Sequence, residues 1–292
     1  MRQRLVILTR PSAKRALVER YGSEGQTRFA MAQSARGSGD FEKAVVEDTA
    51  QSRAVTAIRK AVPDDVKLAE IDRGMVAQFL FEPHDLIVAV GQDGLVANVG
   101  KYLDGQPIAG VNPDPETIEG ALLPFTADMF IHALPDLLRD HRPVREATLA
   151  TVQTSDRQSL RGLNDIFVGV PSHQSARYRI SHAGREEMQS SSGLIVSTGT
   201  GSTGWLRSLI GDKATFDPAA DKLHFVVREA WPGRGFAATV IEGEVTRDHP
   251  LIIESRMDGV IFADGIEGDP LRFDAGVTAT ITPSTQRVRL VQ

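Results

Sequence analysis

Three stretches of the chain carry side chains able to act on a phosphate or a sugar. Gly91-Gln92-Asp93-Gly94 follows the apolar run Asp85 to Val90 and precedes a segment that reads as a helix. Glycines let backbone N–H groups come close to phosphate, and a helix N-terminus favours anions. Asp93 does not suit a passive phosphate cradle, because its charge repels the ligand. A carboxylate beside a phosphate holds a metal or takes a proton. Taken alone, the tetrapeptide also reads as an ordinary Asp-Gly turn. The second stretch is Gly193 to Gly204, a strand running into a loop dense in glycine, serine and threonine. Its hydroxyls and N–H groups suit ribose or phosphate. Gly199, Gly201 and Gly204 also satisfy G-x-G-x-x-G spacing, with Asp217 near the place of a ribose-binding acid. That fingerprint belongs in a βαβ unit, and flanks that read as β-rich disfavour a dehydrogenase. The third is Asn164-Asp165, just before a strand. A later Asp264-Gly265 reads by itself as a hairpin turn.

Other chemistries find no support. The chain has no G-x-x-x-x-G-K-[ST], H-E-x-x-H or G-x-S-x-G sequence. The histidines (His84, His132, His141, His173, His182, His224, His249) lack close metal-ligand spacing, and His132 reads as a packing or surface residue of an apolar helix. Arg228, Arg234 and Arg256 are candidates for phosphate contact, although scattered arginines are usually solvated. Cysteine is absent, which removes disulfides, thiolate metal sites and cysteine nucleophiles and fits a cytoplasmic protein.

The elements that must position these residues fall into two halves. The pattern predicts a strand at Leu5 to Leu8, a helix at Lys14 to Tyr21, a loop or flap over Gly22 to Gly39, and a helix over Phe41 to Ala61 ended by Pro63. A strand at Val66 to Ile71, a short helix at Met75 to Phe81, the strand Asp85 to Val90, a helix at Leu95 to Leu103, the strand Pro107 to Val111 and a helix at Thr126 to Leu138 follow. This alternation argues a parallel sheet in an α/β domain. Beyond His141-Arg142-Pro143 the segments 144–152, 165–170, 176–182, 194–198, 224–228, 237–242, 251–255 and 277–282 read as strands. The reading is an α/β domain over 1–143 and a β-rich domain over 144–292, with the extreme C-terminus packing back on the first. The N-terminal apolar run is too short for a signal peptide's core, and no stretch approaches the ~20 apolar residues of a membrane helix. The 292 residues carry 33 basic and 38 acidic side chains, a formal charge of −5, which argues against a nucleic-acid partner.

The order of these motifs is more specific than any one of them. A strand ending in G-x-D-G, then Gly110-Val111-Asn112, an N-[DE] pair, a Thr198-Gly199-Thr200-Gly201-Ser202-Thr203 loop and a late D-G resemble the NAD kinase family. The likeness is greatest to its mitochondrial-type branch, through Ala109 to Glu116, Glu119-Gly120 and Ser190 to Leu194, and Thr27-Arg28-Phe29 is similar to an early T-R-[FY] of that branch. It covers Val88 to the C-terminus and thins before Asp85. The resemblance implies a two-domain fold with the site between the domains. It implies transfer of the terminal phosphate of ATP to the 2′-hydroxyl of the adenosine ribose of NAD, with Mg²⁺ or another divalent metal, in a self-associating homodimer or higher oligomer. By the match, Asp93 activates the ribose hydroxyl, Gly91 and Gly94 approach phosphates, and Asn164 and Asp165 hold the adenosine. Thr198, Thr200, Gly201, Ser202 and Thr203 line the nucleotide site, and Asn112 and Asp264 complete it. No metal ligand is assigned. Gln92 stands where the family has a second glycine, Asp165 where it has glutamate, and Gly204-Trp205 follow the loop; Trp205 either stacks on a ring of the dinucleotide or fills core. Other readings are a superfamily kinase acting on a lipid or sugar, for which no basic amphipathic face is evident, and a non-catalytic nucleotide-binding regulator, which Asp93 argues against.

Overall fold

The computed structural model describes residues 2–33 and 39–292, with backbone only for residues 266–268. The chain divides into two compact units, one of residues 1–99, 106–144 and 290–292, the other of residues 100–105 and 145–289.

The first unit contains β1 (Arg4–Thr9), α1 (Ala13–Tyr21), α2 (Glu24–Ala32), α3 (Gly39–Ala61), β2 (Lys67–Asp72), a 3₁₀ turn (Arg73–Gln78), β3 (Asp85–Val90), α4 (Asp93–Gly100), β4 (Pro107–Val111) and α5 (Ala127–Leu138). Its strands are parallel in the order β2-β1-β3-β4. Each residue of β3 and β4 is buried, as expected of strands covered on both faces. Ile58 of α3, Phe130 and Leu134 of α5, and Val291 from the chain end share one core with Leu5, Ile7, Leu86 and Val88. Asp85 is fully buried and paired with Arg4, which binds it through Nε at 2.8 Å and Nη2 at 2.7 Å.

The expected loop over Gly22 to Gly39 is corrected by α2. Ser23 caps that helix by accepting from Gln26 N, and fully buried Thr27 gives its hydroxyl to the Ser23 carbonyl. Tertiary burial of Thr27 and Met31, one turn apart on the same face, stabilises a helix whose composition reads as loop. Residues 34–38 of that expectation lie outside the described residues.

The second unit contains β5 (Val144–Thr154), β6 (Ser159–Gly162), β7 (Asp165–Gly169), β8 (Ala176–His182), β9 (Arg185–Ser191), β10 (Leu194–Ser197), α6 (Trp205–Ile210), β11 (Leu223–Val227), β12 (Glu242–Val245), β13 (Leu251–Ser255), β14 (Gly259–Ala263), β15 (Ile266–Phe273) and β16 (Thr278–Val291). One antiparallel sheet runs β12-β11-β10-β7-β14-β15; β16, β13, β8 and β9 follow one another in a second, where β5 pairs β16 and β6. Inward residues of both sheets, among them Val152, Ile166, Tyr178, Val196, Phe225, Ile253 and Ile281, form one core. The α/β unit with a parallel sheet and the antiparallel β-rich unit are the fold class that the sequence predicts. Sequence reading misses β6, β9, β14 and β15, and it places a strand at Ala237 to Glu242 where pairing starts only at Glu242. The missed strands include exposed, charged stretches such as Arg185-Glu186-Glu187, which alternate weakly.

Candidate functional site

In the first unit the β3–α4 junction places Asp93 as the first residue of α4, half-buried. Both of its oxygens are engaged: Ala121 N donates to Oδ2 at 2.9 Å and Leu122 N to Oδ1 at 2.9 Å. Gly91 N donates to the Val111 carbonyl, and Gly94 is exposed, with open space where a β-carbon would project. Gln92 lines a cavity of about 580 Å³ shared with Asp40, Glu42, Glu47, Asp114 and Thr117. Asn112 is buried and fully employed in shaping its own loop. Its Nδ2 donates to the Ile118 carbonyl at 2.8 Å, and its Oδ1 accepts from Asp114 N at 3.0 Å.

In the second unit Asn164, Asp165, Thr198, Thr200, Gly201 and Asp264 come together. Asp264 and Gly265 are the two central residues of the β14–β15 hairpin, both left-handed at φ 56° and 66°, the conformation that a two-residue hairpin requires. The Asp264 carboxylate reaches across to the start of β7. It accepts from Leu163 N at 2.9 Å, Asn164 N at 2.6 Å and Asp165 N at 3.2 Å. Burial pushes this carboxyl up to about 6, against the pull of those N–H groups and of the Lys101 charge. Lys101 is itself buried and donates to Asp269 at 2.9 Å and 3.2 Å. Nothing in its local sequence marks it.

Asp165 is treated differently. Its Oδ1 is buried with no hydrogen-bond partner. Burial pushes the carboxyl up to about 7; the Ser197 hydroxyl opposes the rise and the Asp264 charge adds to it. Gly201 sits against it: a β-carbon there would lie 2.8 Å from Asp165 Oδ1 and 2.3 Å from the Asn164 carbonyl oxygen. One residue earlier, Thr200 Oγ1 is also buried without a partner. The Asn164 side chain makes no hydrogen bond among the described residues, and Thr203 is exposed.

The remaining hydroxyls of the loop build it. Thr198 is fully buried; its Oγ1 donates to the Leu163 carbonyl and accepts from Thr200 N at 3.1 Å and Gly201 N at 3.2 Å. Ser202 gives its hydroxyl to the Gly199 carbonyl at 2.7 Å and accepts from Phe216 N at 3.3 Å. Gly199 has to be glycine, since a β-carbon would lie 2.2 Å from the Asp217 carbonyl oxygen. The G-x-G-x-x-G spacing therefore belongs to a loop leaving an antiparallel strand, with β7 and β11 on either side of β10. Trp205 stacks on Phe167 at 5.9 Å, Phe167 stacks on Phe262 at 4.8 Å, and the Arg228 guanidinium lies 5.4 Å from the Trp205 ring. The Trp205 ring thereby also engages Arg228. Arg256 pairs with Glu254 at 3.2 Å. His224, on the same sheet face, has a buried Nε2 without a partner, and burial holds its imidazole below the ordinary value.

Comparison with known proteins bears on the fold. No family model matches the chain, and no curated protein matches it in sequence. Among solved structures it is similar to an NAD kinase from Archaeoglobus fulgidus in complex with ATP, with a TM-score of 0.63 and 17% identity over 99% of this chain and 94% of the other. It is also similar to a yeast NADH kinase complexed with NADH, with a TM-score of 0.63 and 14% identity over 100% of this chain and 84% of the other. The chain shares the fold of these kinases. No helix among the described residues is long and apolar enough to cross a membrane.

Proposed function

We propose that this protein is an NAD kinase of the mitochondrial-type branch, phosphorylating the 2′-hydroxyl of the adenosine ribose of NAD with ATP. The observation that carries the reading is the pair of buried, unpartnered oxygens at Asp165 Oδ1 and Thr200 Oγ1. A buried carboxylate oxygen without a donor is costly. A nucleoside ribose offers hydroxyl donors that remove that cost, and the kinases of this fold supply the context.

In this reading Asn164, Asp165 and Thr200 hold the adenosine of NAD, Gly201 leaves them room, and Asp264 fixes the backbone beneath them. Asp93 orients the hydroxyl. The ribose O–H bond breaks and its proton passes to the Asp93 carboxylate. The oxygen bonds to the terminal phosphorus of ATP, and the bond from that phosphorus to the bridging oxygen breaks, leaving ADP. Positioning supplies most of the acceleration in such transfers.

Among the described residues no three His, Asp or Glu side chains are grouped to hold a metal. Of the carboxylates around the cavity at Gln92, Glu42 is paired with Arg28 and Glu47 with Arg10, so no metal ligand is assigned; a divalent ion arriving with the nucleotide would neutralise phosphate charge when bound.

The test is direct. Incubating purified protein with ATP, Mg²⁺ and NAD, or with NADH in place of NAD, should yield NADP or NADPH. A folded sample that makes neither removes the proposal, and turnover of a lipid or sugar instead would favour another acceptor.

A further inference from the structure

The Gly110 and Glu119-Gly120 positions have no role in binding or chemistry so far. We infer that Gly110 and the backbone N–H groups of Ala121 and Leu122 form a clamp that sets the orientation of Asp93; this rests on the reading of Asp93 as the proton acceptor.

An aspartate at the start of a helix is free to rotate about two bonds, and a proton acceptor has to present a lone pair in one direction. Here each carboxylate oxygen receives its own backbone donor, Ala121 N on Oδ2 and Leu122 N on Oδ1, both at 2.9 Å. Two donors on two oxygens fix the carboxylate plane and leave a lone pair on each oxygen for a substrate proton. Neither donor belongs to α4, so the orientation comes from the segment that follows β4.

That segment reaches Asp93 only because of glycine. After Asn112 the chain loops out, held by the Asn112 amide at Ile118 and Asp114. It turns at Gly120, where Leu123 N donates to the Gly120 carbonyl at 3.2 Å, and comes alongside β4 in the parallel sense. There Phe125 N donates to the Gly110 carbonyl at 3.3 Å and Asn112 N to the Phe125 carbonyl at 2.7 Å. The returning chain lies so close that a β-carbon on Gly110 would stand 2.0 Å from the Leu122 carbonyl oxygen and 3.0 Å from its carbon. Backbone cannot yield as a side-chain tip can. Any side chain at 110 lifts Leu122 off β4 and withdraws its N–H from Asp93. Asn112, matched by resemblance to a ligand contact, joins the same device as the brace of the loop.

Two variants test this. Gly110→Ala should lower kcat about 100-fold, the cost of a misplacement of about 1 Å, with KM for ATP and NAD within about twofold. A backbone ester at Leu122, made with the matching α-hydroxy acid, deletes one N–H and keeps every side chain; it should lower kcat about tenfold with the same KM values. Amide hydrogen exchange reads the clamp without turnover: Asp93→Ala should speed exchange at Ala121 and Leu122 N–H together. Should Gly110→Ala not fold, the ester decides. Full kcat in a folded Gly110→Ala or in the ester protein, or exchange at the two amides indifferent to Asp93→Ala, overturns the clamp. A wild-type chain that makes no NADP or NADPH sinks the underlying reading instead, and the two failures are thereby told apart.

Discussion

Asp93 in the first unit and Asp165 in the second are carboxylates at the ends of sheets, and their surroundings treat them in opposite ways. Asp93 has a backbone donor on each oxygen. Asp165 has one oxygen buried with none, while its neighbour Asp264 gathers three backbone N–H groups. A carboxylate supplied with backbone donors is held in one orientation, ready to act or to brace. One left short of donors inside the protein is, in the proposed reading, the receptor for a ligand's hydroxyls. The contrast separates the positioned acid, the brace and the receptor within one set of candidate residues, which residue type alone does not.

The largest effect expected is on turnover. Asp93→Asn removes the proton acceptor and sets its NH2 against one of the two clamping N–H groups, so kcat should fall about 1,000-fold with a loss of stability of only about 1 kcal/mol. Comparable activity in that variant would end the distinction between Asp93 and the other two carboxylates. Next in size is the brace. Asp264→Ala deprives three part-buried N–H groups of their acceptor and puts at a left-handed position a residue that tolerates it less well than aspartate, so urea unfolding should show a loss of roughly 3 kcal/mol.

The receptor should behave in the reverse sense. The Asp165 and Asp264 carboxyls lie above their ordinary values, at about 7 and about 6. A carboxyl raised on folding binds more protons folded than unfolded. Its contribution to stability is therefore complete below about pH 4 and declines as pH rises through 6 and 7. Asp165→Asn should flatten that decline and stabilise the ligand-free protein by about 2 kcal/mol at pH 8, while NAD affinity falls about tenfold. Calorimetry at pH 5 and pH 8 reads both. A variant less stable at pH 8 than the wild type would show that Asp165 is already satisfied. The smallest change is expected at Trp205. Trp205→Ala removes one end of the Phe262-Phe167-Trp205 stack and should cost about 1–2 kcal/mol of stability, with NAD affinity within about twofold; a larger loss of affinity would return Trp205 to ring recognition.

Much of the architecture was legible from local pattern. Asp85–Val90 and Pro107–Val111 match the expected strands to the residue, because unbroken apolar runs bounded by proline, glycine or asparagine have few other uses. The Asp264-Gly265 turn was equally plain, since a left-handed pair suits those residue types. Helix α2 was missed because the face it buries is short and mixed, Thr27 and Met31 four residues apart, rather than a continuous apolar stripe.

What the amino-acid order by itself determined is which residues can do chemistry and the α/β-then-β plan that carries them. Tertiary structure alone decided which of those residues are free to do it. Thr198 and Ser202 spend their hydroxyls on the loop, Thr200 and Asp165 keep an oxygen without a partner, and Lys101, bound to Asp269, lends its charge to Asp264. The reason is physical: whether a polar atom is satisfied depends on donors and acceptors far away in the chain, as Asp264 and Leu163 are, 101 residues apart, and no local spacing records them.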